Sequence, residues 1–238
     1  MRAKRFFSVA GLALALLAGV ATAARSECRV ALALALDMSS SVDRIENRLQ
    51  REGLARALVS PEVMAAIFSL EGAHVAITAY EWSGRYQQVP VLGWTSLLTP
   101  ADVRDAAARI AGSERAHSDF PTAMGYAIGH AARVFRAGPE CTTRKLDVSG
   151  DGRNNEGFPP ELALQHFPLD GVTVNGLVVV DGDPGLPGYF RDHVIAGPGA
   201  FVIEADDYAD FERAMREKLI RELGLPRLGA AGQGAMMR

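Results

Sequence analysis

The 238-residue chain is poor in several things that would narrow its function quickly. It has only two cysteines, Cys28 and Cys141, too few for a disulfide-built scaffold or a cysteine-rich metal knuckle. Its five histidines, His74, His117, His130, His166 and His193, show no ligand spacing such as H-E-x-x-H, so a zincin-type centre is not expected. No G-x-S-x-G occurs, which removes the usual signature of a serine nucleophile on a doubly wound sheet. Basic residues form no stripe and the formal charge is -3, leaving no electrostatic grip on nucleic acid or anionic lipid. After the first residues, no apolar run is long enough to span a bilayer, which takes about 20 residues.

The beginning of the chain is the exception. "MRAKRFFSVAGLALALLAGVATAA" carries Arg2, Lys4 and Arg5, an apolar run from Phe6 to Val20, and small residues at Ala21 and Ala23. These are the n-, h- and c-regions of a secretory signal peptide, expected over residues 1–23, with an uncleaved anchor as the alternative. Its removal takes away three positive charges and moves the formal charge from -3 to -6. The mature protein is thus expected to be secreted or periplasmic, in a compartment that permits disulfides. Cys28 and Cys141 each precede an expected strand that ends in an acidic, serine-bearing loop. If those strands are parallel neighbours, both thiols stand at one end of the sheet and can bridge; the alternative is two free buried thiols.

Strands and helices alternate along the rest of the chain. Val30–Leu36 is almost wholly apolar, as for a strand covered on both faces. The helix in "DRIENRLQREGLARAL" follows, with Ile45, Leu49, Leu54, Ala57 and Leu58 near one face and an Asp43/Glu46 capping box. "HVAITAYEW" reads as a strand, and "YQQVPVLGW" returns as an antiparallel edge strand that tolerates Pro90. Helices are expected in "ADVRDAAARIAG" and "TAMGYAIGHAARVF", where Gly125 and Gly129 would allow close approach to the sheet. "RKLDVSGDG", "GVTVNGLVVV" and "AFVIEA" read as strands, "PPELALQHF" as a helix, and "DDYADFERAMREKLIREL" as a capped terminal helix. The fold class is α/β: a three-layer, open, mostly parallel doubly wound sheet with one antiparallel edge strand. The domain is expected over 28–223, with a flexible tail over 224–238.

Sites in such sheets form at the carboxyl ends of the strands, where strand order reverses. Asp37, Ser39 and Ser41 lie just past the end of the first strand, and alternation lets their oxygens converge while Met38, Ser40 and Val42 point away. Asp151 holds the equivalent place after Lys145–Ser149, and Thr122 stands where a helix begins, its hydroxyl at an N-cap. Carboxylates and hydroxyls from separate loops describe a site for a hard cation such as Mg²⁺. Helix capping is the plainer use of the same residues. Asp147, inside its strand, is expected to pair with a base such as Arg144. Glu81, Trp82, Arg85 and Tyr86, around a turn opening to the same end, are candidates for the rim of a partner-binding surface. Trp82 as a packed hairpin residue is the alternative. Asn154 and Asn155 are expected to shape the loop below Asp151.

Asp37-Met-Ser39-Ser40-Ser41, Thr122 and Asp151-Gly152 resemble the D-x-S-x-S, Thr and Asp elements of the metal-ion-dependent adhesion site in von Willebrand factor type A domains. More narrowly, "LQREGLARAL", "YEWSG", "DVSGDGRNN" and "VTVNGL" look like an uncharacterised bacterial group of exported proteins of this type. The resemblance implies Ser39 and Ser41 as direct metal ligands, Thr122 as a switchable one, and Asp37 and Asp151 as acidic members. It also implies Mg²⁺ (or Mn²⁺) as cofactor and a partner protein whose acidic group completes the shell. The implied function is non-enzymatic: a cation-dependent adhesion or interaction module. A serine hydrolase-like enzyme and a metal-free scaffold or assembly module are the alternatives. Two departures bear on the site: Ser40 replaces a usual glycine, and Pro121 precedes Thr122 where glycine is common, stiffening that loop.

Overall fold

The first strand, β1 (Glu27–Asp37), occupies the middle of a six-stranded sheet. The other strands are β2 (Ala73–Trp82), β3 (Gln88–Leu97), β4 (Thr143–Gly150), β5 (Val172–Val179) and β6 (Val202–Ala205), in the order β3-β2-β1-β4-β5-β6. All neighbours pair in parallel except β3, which runs antiparallel to β2 at the edge. Pro90 sits on that edge opposite Tyr80, where its missing N–H costs no ladder bond on the open side. These positions come from a computed structural model that describes residues 26–224. The expected signal peptide, and the expected tail beyond Gly224, lie outside the described residues. Among the described residues no helix is long and apolar enough to cross a membrane.

Among the described residues seven helices cover the sheet: α1 (Arg44–Leu58), α2 (Pro61–Ile67), α3 (Pro100–Ala111), α4 (Met124–Arg136), α5 (Pro160–His166), α6 (Leu186–His193) and α7 (Phe211–Leu223). Residue size in β1 sorts them. Leu32, Leu34 and Leu36 point into one core with Leu54 and Leu58 of α1 and Phe211 and Met215 of α7. Ala31, Ala33 and Ala35 point into the other, with Met124 and Ile128 of α4 and Phe190 of α6. The apolar run of β1 is therefore an alternation of large and small, and the small side lets α4 and its neighbours pack low on the strand.

Several expectations are corrected. Ile45 is 58 % exposed; the buried face of the early helix carries Asn47, Gln50 and Arg51 instead. Gly125 and Gly129 do not face the sheet. A Cβ at Gly125 would strike the Phe158 carbonyl at 2.1 Å, and one at Gly129 would meet the Phe167 ring at 2.9 Å, so they admit the segment around α5. Helix α7 has no side-chain cap at Asp210. The short helices α2 and α6, which strand-and-helix alternation did not predict, both begin with a proline in the first turn. The Asp43/Glu46 capping box is present as expected.

Cys28 and Cys141 are joined by a disulfide, tying the amino end of β1 to the loop before β4 across 113 residues of sequence. Nearer the middle of the sheet lies a buried ionic cluster. Asp147 pairs with Lys218 of α7 (3.2 Å), not with Arg144, whose guanidinium reaches the Asp170 carbonyl instead. Lys218 also bonds Glu222 (3.0 Å), and Asn175 donates to Glu222 (2.7 Å). Burial pushes the Asp147 carboxyl up against the pull of Lys218. One lysine thus holds two carboxylates that are out of water, and removing it strands them. We expect Lys218→Met to cost about 3–5 kcal/mol of folding free energy in urea denaturation. The double variant Asp147→Leu, Lys218→Met should recover part of that loss.

Candidate functional site

β1 and β4 are neighbours whose chains leave to opposite sides of the sheet, β1 toward β2 and β4 toward β5. Their carboxyl ends therefore border the crevice that such a reversal opens. Asp37 ends β1 and Asp151 follows β4 directly. The alternation expected in the first loop is present: Met38 and Val42 are buried in the core, while Ser40 is exposed. Asp37 and Ser39 are buried and Ser41 reaches the surface. The Asp37 Oδ1 accepts from the Ser39 backbone N–H at 2.8 Å. Ser39 Oγ lies 3.1 Å from Ser41 Oγ, which donates to Asp151 Oδ1 at 2.8 Å. Two carboxylates and two hydroxyls from loops 110 residues apart are thus in one chain of contacts. Neither serine hydroxyl has a histidine partner among the described hydrogen bonds.

Thr122 arrives from the loop before α4. It lies one residue before the N-cap, Ala123, so it does not cap the helix as expected. Its backbone is fixed instead: the Thr122 N–H donates to Asn155 Oδ1 (2.9 Å) and its carbonyl accepts from the Asn155 N–H (3.0 Å). Its Oγ1 would lie 3.8 Å from a Cβ placed on Gly152, so the hydroxyl borders the Asp151 loop. Asn154 Oδ1 accepts from the Gly125 N–H at the start of α4 (3.2 Å). The two asparagines, expected to shape their own loop without contacting anything, instead fasten it to the threonine segment.

The Asp37 Oδ2 is buried with no hydrogen-bond partner. A Cβ on Gly150 would lie 3.1 Å from it, so the glycine leaves space beside that oxygen. Burial pushes the Asp37 carboxyl up to about 8, the charge of Asp151 adds to the rise, and the hydrogen bonds from Ser39, with the nearby Asp151 backbone N–H, oppose it. Among the described residues no three or more His, Cys, Asp and Glu side chains gather as a metal site. A cation here would rely on hydroxyls for part of its shell. A buried, unpartnered carboxylate oxygen beside two hydroxyls and a second carboxylate fits such an ion. Tyr208, which sequence pattern did not single out, is nearly fully buried beside this site; burial and the carboxylates of Asp151, Asp37 and Glu46 push its hydroxyl up.

Another residue absent from the sequence-based site is Arg115. Its guanidinium donates to the carbonyls of Met38 (2.8 Å), Ser39 (2.9 Å) and Val42 (2.6 Å), holding the whole serine loop by its backbone. Arg115 is placed in turn by Glu81, whose Oε1 accepts from the Ala116 N–H (2.8 Å) and whose Oε2 accepts from Arg51 (2.5 Å). Glu81 and Trp82 are therefore not rim residues. Both are buried, Glu81 in this support and Trp82 with its ring 3.6 Å from a Cβ position on Gly150, beneath Asp37. Arg85 and Tyr86 are exposed.

Because the Asp37 carboxyl of the metal-free protein holds its proton well above the ordinary value of 3.8, folding favours the protonated form. Its contribution is fully present below about pH 4 and is lost as pH rises to about 8. Asp37→Asn should reduce the slope of urea midpoints across that range in the presence of chelator, leaving the part that Asp147, raised to about 7 by burial, contributes. An unchanged slope would show that Asp37 is not the titrating group.

The structure resembles proximal thread matrix protein 1 from the mussel byssus, with a TM-score of 0.58 at 12 % identity over 82 % of this chain and 48 % of that one. A further structure of the same protein is described as having a zinc-occupied MIDAS motif (TM-score 0.53, 12 % identity, 82 % and 48 % covered). It also resembles a von Willebrand factor type A protein from Catenulispora acidiphila (TM-score 0.56, 18 % identity, 83 % and 43 % covered). A third neighbour is the pilus adhesin SpaC from Lactobacillus rhamnosus GG (TM-score 0.57, 12 % identity, 82 % and 31 % covered). The chain spans about half the length of the first and less of the others. At these identities the likeness shows the fold, which is that of von Willebrand factor type A domains. No curated protein matches the chain by sequence. Residues 27–226, nearly all of the described structure, match the family described as a protein of unknown function, DUF1194, and the chain belongs to that family.

Proposed function

We propose that this protein is an exported, divalent-cation-dependent protein-binding module, with Asp37, Ser39, Ser41, Thr122 and Asp151 holding Mg²⁺, or Mn²⁺ in its place. The observation that carries the reading is the Asp37 carboxylate: buried, with one oxygen unpartnered, beside the chain of hydrogen bonds Ser39–Ser41–Asp151. Burying an ionised carboxylate without compensation is costly, and a bound cation would supply it. When bound, the cation offers a Lewis-acidic position to an acidic group of a partner protein. Neutral hydroxyls in its shell would leave it more electron-poor than carboxylates alone.

The chain's own residues prepare this position. Arg115 fixes the backbone of the serine loop, Asn155 fixes Thr122, and Gly150 keeps room beside Asp37. Asp37 must give up its proton to act as a ligand, so cation binding below about pH 8 releases a proton. The adhesin and zinc-occupied MIDAS structures with this fold support a binding role. Export is supported by the Cys28–Cys141 disulfide, which persists in oxidising compartments, and by the leader-like start of the sequence.

Calorimetric titration with Mg²⁺ or Mn²⁺ tests the cation. Asp37→Ala, or Ser39→Ala with Ser41→Ala, should abolish binding while the far-ultraviolet circular dichroism is retained. Unchanged affinity in both would overturn the assignment. In wild type the affinity should rise with pH up to about 8, and the heat below that pH should depend on the ionisation enthalpy of the buffer.

A further inference from the structure

Next to the donor loops, the turn between β2 and β3 carries Tyr86, the most exposed of the large hydrophobic side chains among the described residues at 83 %. It begins a row of rings. Tyr86 stands edge-on to Tyr126 (6.3 Å between centroids), Tyr126 stacks on Phe158 (4.1 Å), and Phe158 stacks on Phe167 (5.8 Å). Glycines make the row possible: a Cβ at Gly157, whose φ is +72°, would strike the Tyr126 ring at 2.3 Å, and Gly129 leaves space for Phe167. Tyr126, Phe158 and Phe167 are half-buried, and Tyr86 at the end of the row stands in solvent, an exposed aromatic edge of the kind that marks an interaction site.

A cavity lies against Tyr86 on either side. One, of about 220 Å³, is walled by Phe120 and Pro121, the residues just before Thr122. The other, of about 280 Å³, runs along α4 between Tyr126, Phe158 and Phe167, with Arg133 and His130 on its wall. Arg85 and Tyr86 belong to both. The larger cavity carries one unpaired cation: none of its lining residues is acidic, α4 contains no Asp or Glu, and Arg133 has no carboxylate partner among the described ion pairs. Arg85 is paired with Glu156, which lines the smaller cavity, so that cavity suits an apolar side chain and Arg133 is the cation open to an acidic one.

We propose that the Tyr86 ridge and its two flanking cavities form the docking surface for an extended acidic segment of a partner protein, aromatic or large apolar side chains filling the cavities. This rests on the reading of the donor loops as a cation site, which would take a carboxylate of the same segment. An extended chain presents every second side chain to one face, about 7 Å apart. One segment can therefore leave the donor loops past Pro121, cross Tyr86 and lie along α4. Arg133 then meets the partner's acidic character, and Tyr86 and Arg133 are of the residue types that dominate binding energy at interfaces.

The probe is a displayed library of random linear peptides, panned on the mature chain in Mg²⁺, followed by affinities for the enriched synthetic peptides. Enriched peptides should combine Asp or Glu with Trp, Phe or Tyr. Tyr86→Ala and Arg133→Glu should each weaken them by about tenfold or more with Mg²⁺ affinity unchanged by calorimetry. Peptides that lack aromatic residues, or that bind both variants as well as wild type while still requiring Mg²⁺, would overturn the ridge and leave the cation reading standing. Peptides that bind fully in chelator yet lose affinity in Tyr86→Ala would uphold the ridge and overturn the cation reading. A wild-type dimer that Tyr86→Ala dissociates would assign the ridge to a second copy of this chain and overturn the partner assignment.

Discussion

A carboxylate taken out of water at the end of a central strand sets the terms for the loops around it. Asp37 is fully buried, and its charge is opposed by its own desolvation and by Asp151. Only a local supply of donors, a proton or a cation makes that position tolerable. The structure provides donors on one oxygen and none on the other. Burial distinguishes the site from an ordinary helix cap. A capping aspartate such as Asp43 accepts the Ile45 and Glu46 N–H groups on one oxygen with its carboxylate at the surface, whereas Asp37 keeps its second oxygen free under cover.

Holding such a group requires rigid surroundings, and these are built from buried polar contacts. Arg51 of α1 and Glu81 of β2 pair out of water; Glu81 holds the Ala116 N–H, and Arg115 then grips three carbonyls of the serine loop. Each member would be costly if left alone, so the chain of contacts acts as a unit. The sheet divides its stabilising devices accordingly. The disulfide closes the end away from the donor loops, the Asp147–Lys218–Glu222 cluster lies between, and the catalogue of polar contacts at the carboxyl ends serves the site.

Much of this was legible in the sequence where one strand's parity or one loop's chemistry decides the outcome. The apolar run ending at Asp37 shows where the strand stops, and alternation separates Ser39 and Ser41 from Ser40. Strand-end logic also finds Asp151; Thr122 reads as a helix cap, and Ala123 holds that place instead. What the sequence conceals is partnership across long separations. Arg115 works through backbone carbonyls, which any residue possesses, so nothing in positions 38 to 42 announces it. Glu81 and Trp82 next to a turn look exposed, yet parallel pairing of β2 with β1 puts them opposite Leu36 and Asp37 in the middle of the sheet. Asp147 has a base close in sequence, but α7 brings Lys218 closer in space. Glycines on α4 show that something approaches the helix, while only the fold shows that it is Phe158 and Phe167.

The same contacts bear on whether the threonine loop moves. The segment from Phe120 to Ala123 is tied at four backbone groups: the Phe120 carbonyl to the Ser40 N–H (2.8 Å), both backbone groups of Thr122 to Asn155, and the Ala123 N–H to the Ser83 carbonyl (2.8 Å). Displacing Thr122 toward or away from a ligand would break several of these, at about 1 kcal/mol each, in a loop already stiffened by Pro121. A ligand shifts such an equilibrium only by its differential affinity for the two states, so a large switch would demand an equally large share of the binding energy. The tie to Ser83 has a second consequence, since Ser83 opens the turn that carries Tyr86. Donor loops and aromatic ridge are thereby held in one frame, and a partner that meets both finds them already placed, with little ordering left to oppose association.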